Sequence, residues 1–229
     1  MNGLLLDSPP FDVFGQMALD EALAKSKPAE FCLRFFRWRG AGATFGYAQR
    51  IAEVERALPA KLARACTRRP TGGGVVPHVD DLTFSCVFPA RGELRPTELY
   101  RRLHAAILAG LRGAVAGARL AESGGRGAPR GSGGASQCFA EPVPLDVMVA
   151  GRKILGGAIR RYGETTLYQG SLQWPGARER AAELEKAMAA ALAAGWDLRW
   201  ARRDAPAAVL DAARDLEAKY RSADWIRRR

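Results

Sequence analysis

Lys153 is an isolated lysine in a chain whose basic residues are mostly arginine. A compact ammonium can lie beside a carbonyl or a thiolate, and its pKa responds to burial, whereas a guanidinium stays charged. Gly156, Gly157 and Ala158 follow within a predicted strand, where paired glycines indicate the close approach of a ligand or another backbone. Lys153 is therefore a catalytic candidate, and the three small residues are substrate-binding candidates. A lysine on a surface hairpin is the alternative.

An earlier segment contains three consecutive glycines between two predicted strands. Because these glycines lack Cβ atoms, their N–H groups can contact a carboxylate, phosphate or thioester oxygen, and a neighbouring arginine adds positive charge. The substrate-binding candidates of this segment are Arg69, Thr71, Gly72, Gly73, Gly74 and His78. No Lys-Ser or Lys-Thr pair follows at the spacing of a nucleotide-binding P-loop. A glycine-rich turn without a ligand remains the alternative.

Cys138 follows a stretch rich in Gly, Ser, Arg and Pro, which predicts a mobile loop over residues 123–137. A thiol at the end of such a loop is accessible, and a nearby arginine or Lys153 would lower its pKa, so Cys138 is a candidate nucleophile. Cys32 and Cys86 lie in apolar predicted strands and are expected in the core. The spacing of the cysteines and histidines predicts neither a metal site nor a disulfide framework.

Strands and helices must position these residues. Periodicity and capping signals predict helices over residues 12–26, 58–65, 97–115, 177–194 and 206–220. Alternating or continuous apolar runs predict strands over residues 31–38, 67–69, 82–88, 145–149, 153–160 and 165–172. The two types do not alternate regularly, so we predict an α+β fold with a mixed, largely antiparallel sheet flanked by helices.

Composition limits the possible classes of protein. The chain has 229 residues, 48% of them hydrophobic, which suits one domain over 1–229. The net charge of +11 is spread along the chain, so we expect no nucleic-acid partner. Steering toward an acidic protein, or a plain compositional bias, explains the charge. The sequence contains no signal-like leader and no apolar stretch that could span a bilayer, so we expect a cytoplasmic protein without a membrane partner.

Several stretches together resemble the biotin/lipoate protein ligase and octanoyltransferase family. In chain order they are MALDEA at 17–22, LRFFRW at 33–38, TFGY at 44–47, residues 68–85 with the three glycines, and residues 151–158 with QGS at 169–171. The resemblance implies a catalytic domain like those of class II aminoacyl-tRNA synthetases and biotin ligases. It covers nearly the whole chain.

The resemblance also implies an activity, namely transfer of an octanoyl or lipoyl group to a specific lysine of an acceptor protein. Cys138 is similar to the nucleophile of the cysteine-dependent octanoyltransferases, which take the acyl group from acyl carrier protein through a thioester. Lys153 would then polarise the acyl carbonyl. The acceptor would be a lipoyl domain or a glycine-cleavage H-type protein, and no cofactor or metal would be required.

Three alternatives remain open. An ATP-dependent lipoate–protein ligase would act through lipoyl-AMP, with ATP and Mg as additional requirements. A non-catalytic binding protein on the same fold would use the basic surface for recognition alone. A hydrolase built on Cys138 and His78 is disfavoured, because the sequence places no carboxylate to orient the histidine.

Overall fold

The computed structural model describes residues 1–90, 95–122 and 143–228. Cys138 and the loop predicted over residues 123–137 lie outside the described residues. None of the helices in the described ranges is long and apolar enough to cross a membrane.

The described residues form eleven strands and seven helices. The strands are β1 (Asn2–Asp7), β2 (Phe31–Phe35), β3 (Gly42–Phe45), β4 (Cys66–Arg68), β5 (Val76–His78), β6 (Leu82–Pro89), β7 (Arg119–Leu120), β8 (Val147–Val149), β9 (Arg152–Tyr162), β10 (Thr165–Leu172) and β11 (Arg199–Asp204). The helices are α1 (Val13–Lys25), α2 (Ile51–Ala57), α3 (Ala60–Ala63), α4 (Pro96–Leu111), α5 (Ala181–Trp196), α6 (Ala207–Arg221) and α7 (Ala223–Arg227).

Eight strands form one sheet in the order β11-β1-β2-β6-β10-β9-β8-β7. Only the pairs β1–β11 and β1–β2 are parallel, and the other neighbours in this sheet are antiparallel. A second sheet has the order β4-β3-β5, with β3 parallel to β4 and antiparallel to β5. The predicted α+β class and the mixed, largely antiparallel sheet are therefore confirmed.

The central strands of the large sheet are buried on both faces. Successive residues of a strand point to opposite sides, so each of these strands contributes to two cores. Along β2, Leu33 packs into a core shared with α4 and α5, whereas Cys32 packs into a second core shared with α1 and α6. Along β6, Cys86 and Val87 divide in the same way. This double burial explains why the central strands have nearly continuous apolar sequences rather than an alternating pattern.

Helix α1 begins where the sequence predicts it. Asp12 is the N-cap, and its side chain accepts hydrogen bonds from the N–H groups of Phe14 and Gly15. Such a cap satisfies donors that have no partner within the helix. The helix is buried along most of its length and supplies Met17 and Asp20 to the region of the site.

Some predicted boundaries are wrong. The predicted helix over 177–194 begins at Ala181 and continues through Gly195 to Trp196, where Asp197 has a left-handed φ of 51°. Gly195 is inside the helix rather than at its C-cap, which is Asp197, and its missing side chain leaves room for Ala106 of α4. The strand predicted over 31–38 stops at residue 35, and the helix predicted over 58–65 is only four residues long.

Seven elements were not predicted: β1, β3, β5, β7, β11, α2 and α7. Strand β11 lies at the edge of the large sheet and reads RWARRD, so it has no apolar alternation to detect. Edge strands are often charged because charge prevents pairing with other chains.

Candidate active site

Lys153 lies on β9, and its side chain is only 4% exposed. The alternative that it is a lysine on a surface hairpin is therefore wrong. Its Nζ is 2.8 Å from Oδ2 of Asp146, whose side chain is fully buried. Burying an ammonium is costly unless an opposite charge and hydrogen bonds compensate for the lost water. The buried pair therefore fixes where the ammonium lies.

A β-bulge brings Lys153 next to a glycine three residues away. Val147 pairs with Leu155 and Met148 pairs with Lys153, so Ile154 is the extra residue on β9. In a regular strand, residues 153 and 156 would point to opposite faces, and a bulge changes that direction. A Cβ atom at residue 156 would overlap the Cε and Nζ atoms of Lys153. The glycine therefore leaves the space that the ammonium occupies.

Asp146 is held by further donors. The hydroxyl of Tyr100 donates to its Oδ1 at 2.7 Å, and the N–H of Val143 donates to its Oδ2 at 2.8 Å. The Tyr100 hydroxyl also accepts a 3.2 Å hydrogen bond from the N–H of Gly157. The carboxylate is therefore tied both to α4 and to the backbone of the strand that carries Lys153.

A small cavity gathers five of the predicted site residues. Its wall consists of Met17, Thr44, Arg69, Val76, His78, Thr83, Gly156, Gly157, Ala158, Gln169, Gly170 and Ser171. The predicted residues among them are Arg69, His78, Gly156, Gly157 and Ala158. Lys153 lies directly behind the wall at Gly156. The substrate-binding roles of these residues stay predictions.

His78 is oriented by a carboxylate that the sequence analysis did not place. Its Nδ1 is 2.7 Å from Oδ2 of Asp81, its Nε2 is 2.9 Å from the hydroxyl of Thr44, and Trp38 stacks on its ring at 4.4 Å. The hydrolase alternative was disfavoured because the sequence places no such carboxylate, whereas the structure places Asp81 against His78. Burial would raise the pKa of Asp81, but the charge and hydrogen bond of His78 and the hydroxyl of Thr83 outweigh it and lower the pKa.

Residues 71–74, which contain the three glycines, do not line the cavity, although the preceding Arg69 does. Arg69 folds back so that Nε and Nη2 donate to the carbonyl of Gly72 at 3.0 and 2.6 Å. Gly73 has a φ of 90° and touches the backbone of Gly46 so closely that a Cβ at Gly46 would overlap its carbonyl. The absence of side chains here therefore serves the contact between two backbones.

Thr71 reaches the cavity through another side chain. Its hydroxyl donates to Oε1 of Gln169 at 2.7 Å, and Nε2 of Gln169 donates to Oδ2 of Asp20 at 2.7 Å. Asp20 also accepts from Nη2 of Arg34 at 2.5 Å and from Ser85. This buried network fixes the amide of Gln169 in the cavity wall.

Three cysteines lie in the described part of the chain, and all are buried as free thiols. Burial raises the pKa of Cys32 to about 12 and that of Cys66 to about 11, and it also raises the pKa of Cys86. Neutral, inaccessible thiols are poor nucleophiles. The expectation that Cys32 and Cys86 belong to the core is confirmed, so any thiolate chemistry would fall to Cys138, whose position lies outside the described residues.

The family model for the lipoyl protein ligase A/B catalytic domain matches residues 12–214. The chain belongs to this family. Two curated relatives of this lipoyl protein ligase family are named Octanoyltransferase LipM, from Moorella thermoacetica and Bacillus subtilis. They are 32% identical over 182 residues and 34% identical over 174 residues. The alignments cover 73% and 72% of the chain, and 63% and 61% of the relatives, so the chain spans less than two thirds of their length.

Solved structures of lipoate ligases share the fold. A lipoate-protein ligase A bound with ATP has a TM-score of 0.78 at 24% identity, with 98% of each chain covered. The bipartite lipoate protein ligase of Thermoplasma acidophilum has a TM-score of 0.72 at 22% identity, with 99% of this chain and 96% of that chain covered. At such identities the likeness concerns the fold alone.

The sequence alone did not indicate several buried polar residues of the site. Asp81 lies three residues after His78, and that spacing could have indicated an orienting carboxylate. Tyr100 lies on α4 and Asp146 lies in the turn before β8, and no local pattern connects either of them to Lys153. Gln169 was named only within the family resemblance, which gave it no role in the site.

Proposed function

We propose that the protein transfers an octanoyl group from octanoyl-acyl carrier protein to a specific lysine of a lipoyl-domain protein or a glycine-cleavage H-type protein. The observation that carries this proposal is the buried Lys153 ammonium behind a small cavity lined by glycine backbone. Membership in the lipoyl protein ligase family supports it, as do relatives named Octanoyltransferase LipM that are more than 30% identical.

The reaction has two acyl-transfer steps. The Cys138 thiolate attacks the thioester carbonyl carbon of the donor, the bond to the carrier sulfur breaks, and the carrier thiol takes up a proton. The amine of the acceptor lysine then attacks the acyl-enzyme, forms the amide and releases the Cys138 thiol. Each step develops negative charge on the carbonyl oxygen, and the ammonium of Lys153 stabilises that charge.

The preorganised position of the ammonium is the main contribution of the protein in this mechanism. A charge fixed by Asp146 and Gly156 needs no reorganisation during the reaction, which makes it more effective than a mobile one. Neither step involves a redox change or a phosphoryl transfer, so the proposal includes no cofactor or metal. The net charge of +11 would attract an acidic carrier protein, so the proposal includes such a carrier as the donor. A cytoplasmic location is also part of the proposal.

The nucleophile is tested by intact mass spectrometry after mixing the protein with octanoyl-acyl carrier protein. We expect the mass of one octanoyl group on the wild-type chain and on Cys66→Ser, which changes a buried thiol. Cys138→Ser should show no thioester adduct and should lose transfer to the acceptor domain. Full transfer by Cys138→Ser would contradict the proposal.

The role of Lys153 is tested with Lys153→Met, which keeps the length of the side chain and removes its charge. We expect transfer to fall by about 10²- to 10³-fold, the usual effect of losing one group that stabilises an oxyanion. Lys186→Met changes an exposed lysine on α5 and is the matched control, for which we expect no change. Equal rates in the two variants would remove Lys153 from the mechanism.

The same assay separates the transferase from a lipoate ligase. A ligase would release pyrophosphate when given lipoate and ATP, and Cys138→Ala would still modify the acceptor. We expect modification from the octanoyl carrier alone and no dependence on ATP.

A further inference from the structure

A second, larger cavity shares no wall residue with the small cavity beside Lys153. It has a volume of about 540 Å³ and is lined by Met1, Asn2, Ala29, Glu30, Phe31, Phe88, Pro89, Ala90, Leu99, Arg102, Arg161, Thr166, Trp196 and Leu198. Thr166 is near the start of β10, whereas Ser171, in the wall of the smaller cavity, is near its end. The two residues are five positions apart along the strand, which is roughly 17 Å. The two cavities are therefore distinct.

The floor of this second cavity is aromatic. Phe31 and Phe88 stack with ring centroids 4.7 Å apart, and Trp196 lies 5.1 and 5.2 Å from them. A volume of this size falls within the range of small-molecule sites, which are mostly apolar with a few polar groups that orient the ligand. The floor fits a flat ring or an alkyl chain.

The charged residues of the second cavity are mostly basic. Arg102 and Arg161 line it, against the single acid Glu30. The Arg102 guanidinium lies over the Trp196 ring, 4.3 Å from its centre, and donates to the carbonyl of Gly195, so a positive charge lies beside the aromatic floor. An apolar ligand that carries a negative charge would match both features.

Two buried polar groups in this wall have no hydrogen-bond partner among the described residues. They are the hydroxyl of Thr166 and the indole N–H of Trp196. A buried donor without a partner is uncommon in native proteins and costs free energy, which suggests that a bound molecule supplies the partner.

We propose that this second cavity binds a small apolar carboxylate, with its ring or chain on Phe31, Phe88 and Trp196 and its anionic head toward Arg102. The inference does not depend on the proposed acyl transfer. It concerns a different set of residues, and it is tested by binding rather than by activity.

The test uses 2-naphthoate and the five tryptophan indole signals of the ¹⁵N-labelled protein. Trp196→Phe identifies the signal of Trp196. We expect 2-naphthoate to shift that signal in a saturable way. Trp38, which stacks on His78, reports on the cavity beside Lys153 and should not move. The cation 2-naphthylmethylammonium has the same ring and should not bind.

Two variants locate the anionic head. Arg102→Gln should weaken the affinity for 2-naphthoate about tenfold, the effect of one charged contact, whereas Arg112→Gln at the exposed end of α4 should not. Thr166→Val keeps the shape and removes the unpartnered hydroxyl, so it should also weaken binding while leaving the melting temperature of the free protein unchanged or higher.

Specific outcomes would overturn the inference. They are the absence of a saturable Trp196 shift, an equal response to the cation, or unchanged affinity in both Arg102→Gln and Thr166→Val. A shift of Trp38 alone would also overturn it, because the carboxylate would then occupy the cavity beside Lys153.

Discussion

At the scale of single residues, the site depends on a buried ion pair whose two members need each other. Asp146 has no exposed side-chain surface, and it is the carboxylate that balances the Lys153 charge. Removing one member of a buried pair is far more costly than the pair is worth, because the remaining charge stays buried without compensation.

We expect Asp146→Asn to lower the free energy of unfolding by about 3–5 kcal/mol, since it leaves the ammonium of Lys153 without its counter-charge. Urea denaturation measures the change. The matched control is Asp211→Asn, which breaks an exposed pair with Arg214 and should have no measurable effect, as is usual for surface pairs. Equal losses in the two variants would show that the buried pair has no special role.

Gly156 tests the position of the ammonium without removing it. In Gly156→Ala the new Cβ would overlap Lys153, so the side chain must move. We expect acyl transfer to fall at least about tenfold, because small displacements of a catalytic group are costly. Gly113→Ala adds a methyl group where no atom lies within 4 Å, and it should keep full activity. An active Gly156→Ala enzyme would mean that the ammonium need not be fixed.

At the scale of elements, helix α1 connects the N-terminal part of the chain to the site. The carboxylate of its N-cap, Asp12, also forms an ion pair with Arg221, with Oδ2 2.6 Å from Nη2. This pair joins the start of α1 to the end of α6. These two helices pack together on one face of the large sheet. The cap therefore contributes to both the helix and its packing.

We expect Asp12→Ala to lower the free energy of unfolding by about 1 kcal/mol, the usual effect of losing an N-cap. Urea denaturation again provides the measurement. Asp12→Asn removes the charge but keeps an oxygen that can cap the helix, so it should recover most of the loss. If Asn does not recover it, the ion pair to Arg221 matters more than the cap.

At the scale of the whole molecule, a buried histidine couples unfolding to pH. His104 contacts the carbonyl of Leu145 and the hydroxyl of Tyr168, each at 2.8 Å. Burial lowers its pKa to about 3, with a smaller contribution from the charge of Lys153. The unfolded chain takes up this proton near pH 6.5, whereas the native protein does not until about pH 3.

The unfolded state therefore binds more protons between these two values, and the stability must fall as the pH falls through this window. One histidine contributes a slope of up to about 1.4 kcal/mol per pH unit. We expect His104→Gln to reduce the slope of the unfolding free energy between pH 6 and 5 by about this amount. Glu21 and Asp81 have lowered pKa values in the native protein, so their contributions to stability are lost only below the interval from pH 6 to 5. An unchanged slope would place the proton uptake elsewhere.

The sequence by itself determined the fold class, most central elements and the main candidates. Strand β10 was predicted with its observed bounds, residues 165–172, because a buried strand between turn residues has a strong local pattern. Lys153 and the small residues after it were recognisable, because an isolated lysine and paired glycines are unusual within one strand. The roles of these residues stay predictions.

Only the tertiary structure decided how the candidates are arranged. The bulge at Ile154 places Lys153 on the side of Gly156, where it pairs with Asp146 from the turn before β8, and Tyr100 on α4 holds Asp146. Neither feature has a local sequence pattern, because a bulge depends on the partner strand and a buried ion pair depends on residues that are distant along the chain. Local patterns specify elements, whereas the contacts between elements specify the site.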